Sequence, residues 1–411
     1  MRLFVFLFAS VILTGIIQGK TTVVCPDCPV NNFMRAAFIA APHDTIIVKS
    51  GTYPSINSII TKPMTIIGEN YPVIDGRGRD EVILVYSDSV TISGLHVRNS
   101  NRGSMKDYAG IRVFQSKQVS ILNCKLENVF FGIYLSDSKQ VLVKGNHSKG
   151  ANYGKSDTGN GIHLWKCDSV TVLDNYMEGH RDGIYFEFAK HCHIEKNLAE
   201  KNYRYGLHFM FSDDDTYVNN TFRNNGTGVA VMYTKRVNMF NNVFENNWGD
   251  AAYGLLLKDI GNSVIEGNVF RNNTIGVTME GSSRMRFENN DFTRNGYGLR
   301  IWANCTQDTF VHNNFSGNTF DASTNGQLQQ NIFNYNYWDK YTGYDLDRDK
   351  IGDIPYKPVS LYSMLIEQMP YAVMLLRSFM VDLLDKAEKN IPSITPEAFE
   401  DKFPLMNMIK R

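Results

Sequence analysis

From Gly110 onward, the chain repeats a glycine followed by alternating apolar and variable positions, as in GIRVF, GIYLS and GIHLW. Side chains of a β-strand alternate between its two faces, so this period of two predicts short, half-buried strands. Nine glycines set the repeat at spacings of 22 to 29 residues: Gly110, Gly132, Gly161, Gly183, Gly206, Gly228, Gly254, Gly276 and Gly298. Such a unit is too short for a strand plus a helix, so we expect stacked coils that bury their alternate residues against one another.

An asparagine follows most of these glycines by fourteen residues, and Cys124 takes that place in the first coil. Stacked asparagines hydrogen-bond from coil to coil as an amide ladder. The predicted ladder contains Asn146, Asn175, Asn197, Asn220, Asn242, Asn268 and Asn290. The leucine spacing and helical half-turn of a leucine-rich repeat are both missing. The predicted fold class is therefore all-β, a right-handed single-stranded parallel β-helix over residues 45–338.

The two ends of such a solenoid need covers, because an open sheet edge invites pairing with other chains. Residues 20–44 are predicted as an N-terminal cap, with a short amphipathic helix over 31–41. After an Asp-rich loop at 339–358, residues 359–411 are predicted as a C-terminal helical docking segment and an extended tail. Its amphipathic helix, 359–389, is either a second cap or an element that docks on a partner. The docking residues would be Met364, Met369, Met374, Leu375, Phe379 and Leu383.

Residues 1–19 have the pattern of a secretory signal peptide, with Arg2 followed by an uncharged run from Leu3 to Leu13. A membrane anchor is the alternative, but this run is shorter than the roughly 18 to 20 residues that a spanning helix needs. We therefore expect the mature chain to work outside the cytoplasm.

Composition excludes two broad classes of protein. The 42 basic residues balance the 42 acidic ones, so there is no overall field to hold a nucleic-acid backbone. The hydrophobic fraction of 43% is too high for a disordered chain.

The six cysteines fall into two groups. Four lie singly inside coils and are expected to be packing residues: Cys124, Cys167, Cys192 and Cys305. Cys25 and Cys28 form a CxxC pair after the signal peptide. In an oxidising compartment we expect a disulfide there rather than a soft-metal site.

Residues at equal distances from the repeat glycines form columns on the solenoid, because coils lie about 4.8 Å apart. Two and four residues after the glycine, side chains should point outward, and in the middle coils these positions hold imidazole, carboxylate and thioether groups. Imidazole and thioether are ligands for copper, and sulfur suits Cu(I) in particular. The predicted copper ligands are His163, Glu187, His208, Met210 and Met232. The alternative is that this face only packs against a loop or a partner.

A second histidine pair, His191 and His193, lies two residues apart with Cys192 between them, and such a pair on one strand can chelate a metal. Histidines on a solvated strand more often bind nothing.

The segment YDLDRDKIGD, residues 344–353, has carboxylates at the spacing of a calcium-binding loop: Asp345, Asp347, Asp349 and Asp353. Lys350 and Tyr356 replace the glycine and glutamate of an EF-hand loop. The segment is therefore either a structural calcium site or an Asp-rich turn.

The alternative function is that of a polysaccharide lyase or hydrolase, because many exported parallel β-helices act on polysaccharides. That chemistry needs converging carboxylates or calcium with a basic residue on one face. The candidates are His180, Arg181, Asp182, Glu187 and residues 213–215. The outward columns offer His and Met rather than an acidic cleft.

Four segments together resemble the NosD family: GNGIHLWKCDSVTVLDN (159–175), RYGLHFMFSDD (204–214), WDKYTGYDLDRDKIGDIPY (338–356) and FPLM (403–406). The resemblance covers nearly all of the mature chain. It implies a non-enzymatic periplasmic protein that assists copper-centre assembly during maturation of nitrous oxide reductase. The Cys25 and Cys28 pair matches no motif of the family.

The implied partners are the NosF ATPase, the membrane permease NosY, the copper chaperone NosL and the reductase itself. Association with the inner membrane would run through a partner. The sequence holds no GxxxxGK[ST] phosphate loop, so ATP hydrolysis has to come from a partner.

Overall fold

The computed structural model describes residues 19–103, 106–151, 158–249, 252–328, 330–391 and 394–410. The predicted signal peptide, apart from residue 19, lies outside them.

Each coil contributes short strands to three parallel sheets. The first sheet contains the strands Thr21–Val24, Asp44–Val48, Met64–Gly68, Thr91–Ser93, Ser120–Leu122, Leu142–Lys144, Thr171–Leu173, His193–Glu195, Thr216–Val218, Asn238–Phe240, Gly261–Glu266, Ser283–Glu288, Thr309–Val311 and Ile332–Asn334. The second sheet contains Ser58–Ile60, Ile83–Val85, Ala109–Phe114, Phe131–Ser136, Ile162–Trp165, Asp182–Glu187, Tyr205–Met210, Thr227–Met232, Tyr253–Lys258, Ile275–Glu280, Tyr297–Ile301 and Phe320–Thr324. The third sheet contains Thr52–Pro54, Val73–Asp75, His96–Arg98, Lys125–Val129, His147–Gly150, Tyr176–Glu178, Leu198–Glu200, Thr221–Arg223, Val243–Glu245, Val269–Arg271, Asp291–Thr293, Asn314–Ser316 and Tyr337–Trp338.

The coils stack in register, and the inward positions of every coil form one continuous core. Ile133 pairs with Ile162, which pairs with Ile184 on the next coil, and all three are buried. The repeat glycine is required because the coils approach closely there: a Cβ on Gly183 would lie 2.6 Å from the carbonyl oxygen of Gly206. The predicted parallel β-helix is confirmed.

The structure contains the predicted asparagine ladder. Asn220 is typical: its Oδ1 accepts from the backbone N–H of Asn197, and its Nδ2 donates to Oδ1 of Asn242, at 2.9 and 3.0 Å. The ladder continues beyond the predicted members through Asn313 and Asn336. Asparagine side chains therefore satisfy buried backbone groups at the same turn of successive coils.

A second ladder, which was not predicted from the sequence, runs at another turn of the coil. Its members lie five residues after those of the first ladder, a spacing that was readable from the sequence. Asn202, for example, donates from Nδ2 to Oδ1 of Asn225 at 2.9 Å. Its members are Asn202, Asn225, Asn247, Asn273, Asn295 and Asn318, with His180 in the same place at its start.

The N-terminal cap contains one helix, α1 (Phe33–Ile39), inside the predicted range. Asn32 caps it by accepting a hydrogen bond from the backbone N–H of Arg35. Phe33 and Ala36 are buried, so this helix covers the apolar interior of the first coil. The strand Thr21–Val24 pairs with Asp44–Val48 and extends the first sheet.

The predicted single helix at 359–389 is wrong, because two helices occupy this region. They are α2 (Leu361–Gln368) and α3 (Phe379–Asn390), separated by a 3₁₀ turn at Pro370–Leu375. Proline has no N–H for an α-helical hydrogen bond, and its ring clashes with the preceding turn. Pro370 therefore ends the first helix, and Ser378 caps the second by accepting from the backbone N–H of Val381.

The C-terminal tail, rather than these helices, covers the last coil. Residue Phe399 stacks on Phe333 with ring centroids 4.0 Å apart, and Leu405 forms a parallel bridge with Tyr337. Helix α2 packs instead on the outer side of the second sheet, where Tyr362 and Ile366 cluster with Phe320. The helical segment is therefore a lateral attachment and not a second cap.

Within the described ranges, no helix is both long and apolar enough to cross a bilayer.

Candidate functional site

The candidate copper ligands lie on the outer face of the second sheet, in two neighbouring columns. Parallel pairing sets the order in each column. The first column runs His163, Tyr185, His208 and Ala230, and the second runs Trp165, Glu187, Met210 and Met232. We call these two columns the middle-coil face. The spacing of the repeat glycines predicted both columns and their order along the coils, and the pairing register shows the same order.

A tyrosine ring covers His163 and His208, although both imidazoles lie on the outer face of the sheet. The Tyr185 ring lies between them, with its centroid 4.8 Å from that of His163 and 4.9 Å from that of His208. Both histidines are buried, at 8% and 5% exposure. Because the two imidazoles are two coils apart, they do not serve as ligands of one ion in this arrangement. The prediction that all five residues share a site is corrected on this point.

In both imidazoles, Nδ1 has a neighbouring nitrogen within hydrogen-bond distance and Nε2 has no partner. The Nδ1 atom of His163 lies 3.1 Å from Nδ2 of Asn160, and Nδ1 of His208 lies 3.4 Å from a guanidinium nitrogen of Arg204. Neither Nε2 atom has a hydrogen-bond partner, although both are buried. A buried nitrogen without a partner is costly. Because a guanidinium nitrogen only donates, Nδ1 of His208 accepts from Arg204 here and the ring proton is on Nε2. Nε2 becomes a metal ligand when this proton moves to Nδ1, which faces Oδ2 of Asp182 at 3.8 Å.

The charged groups around His163 differ from those around His208. Burial, followed by the neighbouring Arg181, lowers the pKa of His163 to about 3, so this imidazole is neutral at physiological pH. Beside His208, the buried carboxylate of Asp182 accepts two hydrogen bonds from Arg204, at 2.9 and 2.5 Å. Burial alone raises the pKa of Asp182, but His208 and Arg204 more than offset this effect and lower it. Asp182 is therefore ionised, and the Arg204 guanidinium, which also contacts His208, balances its charge.

The thioethers lie in the second column, next to one another. Met210 pairs in register with Met232, and both side chains are partly exposed. The hydroxyl of Tyr185 lies 3.6 Å from the Met210 sulfur and donates to Glu187 at 3.2 Å. Met210 is also two residues from His208 on one strand, so the two side chains share a face.

These residues fit a soft, singly charged metal ion at one end of the face. An imidazole nitrogen without a partner and two adjacent thioethers, at His208, Met210 and Met232, are a donor set for Cu(I). Glu187 borders this group. His163 belongs to the same surface but not to this donor set.

The second histidine pair is not a chelating pair on one strand. His191 precedes the strand His193–Glu195 and has a positive φ of 54°, so the chain turns between the two imidazoles. His191 contacts Asp168 at 3.1 Å, whereas His193 contacts Glu195 at 3.0 Å. Each ring therefore has its own carboxylate partner.

The Asp-rich loop brings together three of its four predicted ligands. Ligand oxygens of Asp345, Asp347 and Asp349 lie within 4.8 Å of one another, and these are the only His, Cys, Asp or Glu residues in the described part of the chain that converge in this way. Asp353 instead accepts from the backbone N–H of Leu346 at 2.8 Å, so it is not part of the group. Calcium at this loop stays a prediction.

Cys25 and Cys28 are joined by a disulfide. The four coil cysteines are free and buried, and burial raises the pKa of the Cys124, Cys167 and Cys305 thiols to about 12.

Five of the six predicted docking residues are exposed on the helical segment. Met374 and Phe379 are 84% and 81% exposed, and Met369, Leu375 and Leu383 are about half exposed. Met364 is the exception, because it packs against the buried cluster at the base of α2. Docking by Met364 is therefore unsupported.

The residues suggested for polysaccharide chemistry do not form an acidic cleft. His180 is buried at the start of the second ladder, where its Nε2 lies 2.9 Å from the Ser148 hydroxyl. Asp214 pairs with Arg236 on the surface, and Asp215 is buried. His180 and Asp215 are therefore covered and Asp214 is paired, so none of the three adds a free carboxylate beside Asp182.

Solved structures with similar architecture include polysaccharide-active proteins. The A-module of mannuronan C-5 epimerase AlgE4 from Azotobacter vinelandii is 13% identical, with a TM-score of 0.50 over 74% of this chain and 88% of that one. The catalytic domain of an α-1,3-glucanase in complex with tetrasaccharides is 11% identical, with a TM-score of 0.56 over 78% and 69%. At such identities the likeness concerns the fold alone.

Sequence comparison is more specific. Residues 32–158 match the family described as "Right handed beta helix region", and residues 152–343 match "Periplasmic copper-binding protein (NosD)". The "Probable ABC transporter binding protein NosD" of Stutzerimonas stutzeri is 29% identical over 377 residues, which cover 85% of this chain and 84% of that protein. The protein of the same description from Pseudomonas aeruginosa is 28% identical over 373 residues, 86% of each chain. Both the family match and the two relatives support the assignment of this chain to the NosD family.

Proposed function

We propose that this chain is an exported, non-enzymatic accessory protein that handles copper during maturation of nitrous oxide reductase. It works in the periplasm with an ABC transporter, whose permease and ATPase subunits are NosY and NosF, and with the copper chaperone NosL. The family description and the names of the two relatives support copper binding and association with a transporter. Copper here is cargo, and this chain's residues hold it without changing it chemically.

One observation carries the copper proposal: the buried Nε2 of His208 has no hydrogen-bond partner, and on the same face Met210 lies on its strand and Met232 on the next coil. Tyr185 covers one side of the imidazole, whereas the small side chain of Ala230 is its neighbour on the other. With Cu(I) on Nε2, the ring proton would be on Nδ1, where the Asp182 carboxylate faces it at 3.8 Å and orients the ring. We place Cu(I) at His208, Met210 and Met232.

The transporter proposal concerns the helical segment. Helix α2 is held against the solenoid by Tyr362 and by an ion pair from Arg300 to Glu367 at 2.5 Å. Its fixed position leaves the apolar face of the 3₁₀ turn and α3 in solvent. Exposed apolar patches of this kind mark interaction sites. We assign this face to the permease subunit.

Both proposed surfaces lie on one side of the solenoid. Arg300, which anchors α2, stands in the same column as His208, four coils further on. At about 4.8 Å per coil, the backbone positions of His208 and Arg300 are about 19 Å apart. A partner docked on the helices therefore lies on the same side of the solenoid as the copper donors.

The copper proposal is tested by anaerobic Cu(I) titration against a competing chelator, with metal analysis. We expect the parent chain to bind Cu(I), and the triple variant His208→Ala, Met210→Ala, Met232→Ala to bind about 100-fold more weakly or worse, since all three donors are lost. His312→Ala, which removes an exposed imidazole elsewhere, is the control and should bind as the parent does. Equal affinity of parent and triple variant would exclude this donor set.

The docking proposal is tested with membranes that contain NosY and NosF. Substituting Met374, Phe379 and Leu383 by Ser should reduce recovery of the transporter with the tagged chain at least tenfold, because the apolar contact area is lost. The melting temperature should stay unchanged, since these side chains are exposed. A control with Phe38→Ser and Ile59→Ser removes exposed apolar side chains at the other end. Normal recovery with the α3 variant would place docking elsewhere.

A further inference from the structure

The disulfide between Cys25 and Cys28 lies in a turn whose two sides are anchored independently of it. On one side, Val24 is buried and its strand pairs with Asp44–Val48 over four residues. On the other side, Val30 packs on the core, and α1 follows with its own N-cap. The two sides are therefore held by core packing and backbone hydrogen bonds.

The turn itself has a backbone framework as well. The N–H of Cys28 donates to the carbonyl of Cys25 at 3.2 Å, and the N–H of Cys25 donates to the carbonyl of Val30 at 3.4 Å. A disulfide stabilises mainly by closing a loop in the unfolded chain, and the gain grows with loop length. A bond between residues three apart closes one of the shortest loops possible. Stability of the cap is therefore a weak reason for this disulfide.

Accessibility separates this pair from the other cysteines. Cys25 and Cys28 are both partly exposed, with exposed Pro26 and Asp27 between them. The four coil cysteines are buried, and a thiol that stays protonated and covered is inert towards disulfides. Reduction of the pair would therefore not start exchange within the chain.

We propose that Cys25 and Cys28 are a thiol–disulfide exchange site at the N-terminal end of the solenoid, served by an external protein dithiol of the thioredoxin class. One thiolate of that protein attacks a sulfur of the pair, forms a mixed disulfide and releases the other cysteine as a thiolate. The second thiol of the partner then attacks the mixed disulfide, so that the partner leaves as a disulfide. Two electrons and two protons thereby pass to Cys25 and Cys28. The proposal is independent of copper binding.

The first test measures the redox state of the exported, folded chain in buffers of reduced and oxidised glutathione. After an acid quench and alkylation, intact mass counts the free thiols. We expect the pair to become reduced when reduced glutathione is in excess, whereas structural disulfides resist the glutathione pool. A pair that stays oxidised until the chain is unfolded would overturn the proposal.

The second test distinguishes an exchange site from a structural disulfide that stabilises the N-terminal cap. The variant Cys25→Ser, Cys28→Ser should melt within about 5 °C of the parent, because the cap is held by its own contacts. A larger fall would make the disulfide structural and would overturn the proposal.

The third test uses a thioredoxin whose second active-site cysteine is replaced by serine, so that a mixed disulfide cannot be resolved. We expect it to trap the parent chain as a mixed disulfide and to leave the double serine variant unbound. The variant Cys124→Ser, which removes a buried thiol, should be trapped like the parent. Failure to trap the parent would also contradict the proposal.

Discussion

Replacing Asn220 by leucine is expected to lower the free energy of unfolding by about 4 kcal/mol, although leucine has nearly the same shape. Asn220 is fully buried, and its Oδ1 accepts from the backbone N–H and the Nδ2 of Asn197, both at 2.9 Å. Its own Nδ2 donates to the carbonyl of Ile194 and to Asn242. The substitution leaves several buried polar groups without partners, at about 1 to 3 kcal/mol each.

Equilibrium urea denaturation followed by circular dichroism measures this loss. The neighbouring Asn219 is the control, because it is exposed and takes no part in the ladder. Asn219→Ala should cost about 1 kcal/mol, the price of a left-handed φ of 56° without asparagine. If Asn220→Leu costs no more than this control, the ladder does not carry the stability assigned to it.

Replacing Asp401 by alanine should open the last coil of the solenoid. The Oδ2 atom of Asp401 accepts three hydrogen bonds, each at 3.0 Å, from the backbone N–H and Nδ2 of Asn336 and from the indole of Trp338. It thereby takes the place of the next asparagine in the first ladder. Alanine leaves the backbone N–H of Asn336 and the indole N–H of Trp338 without partners, whereas Nδ2 of Asn336 keeps the carbonyls of Phe310 and Asn334. We expect a local loss of about 4 kcal/mol.

Hydrogen exchange resolves this effect by position. Amides around Asn336 and Trp338 should exchange about 100-fold faster or more in the variant, whereas those around Asn220 should keep the parent rate, because coils contact only their neighbours. Asp385→Ala, on the exposed side of α3, is the control. Unchanged protection of the last coil would show that other contacts of the tail are sufficient to close it.

Much of the fold was readable from the sequence because a solenoid repeats one environment. Every coil therefore has the same pattern of inward positions and the same asparagine that bonds to the next coil. Spacing of glycines at 22 to 29 residues therefore predicted the sheets and the first ladder. The second ladder was equally regular, and the fixed offset of five residues from the first would have revealed it.

The structure of the two terminal segments was less predictable, because neither segment is repeated along the chain. Helical spacing at 359–389 did not distinguish one helix from two, and only the position of Pro370 in the chain signals the break. Whether these helices cap the coils or lie beside them depends on which surface Tyr362 and Phe399 reach. That choice is made by packing between residues far apart in sequence.

The sequence by itself determined the register of this protein: which side chains share a column, and hence that His163, His208, Met210 and Met232 lie on one face. Tertiary structure decided the contacts and hydrogen bonds of their side chains. The Tyr185 ring separates the two histidines, and Arg204 and Asn160 contact Nδ1 and leave Nε2 without a partner. Periodicity fixes the positions of backbone atoms along a repeat, whereas rotamers and hydrogen-bond partners depend on every side chain around them.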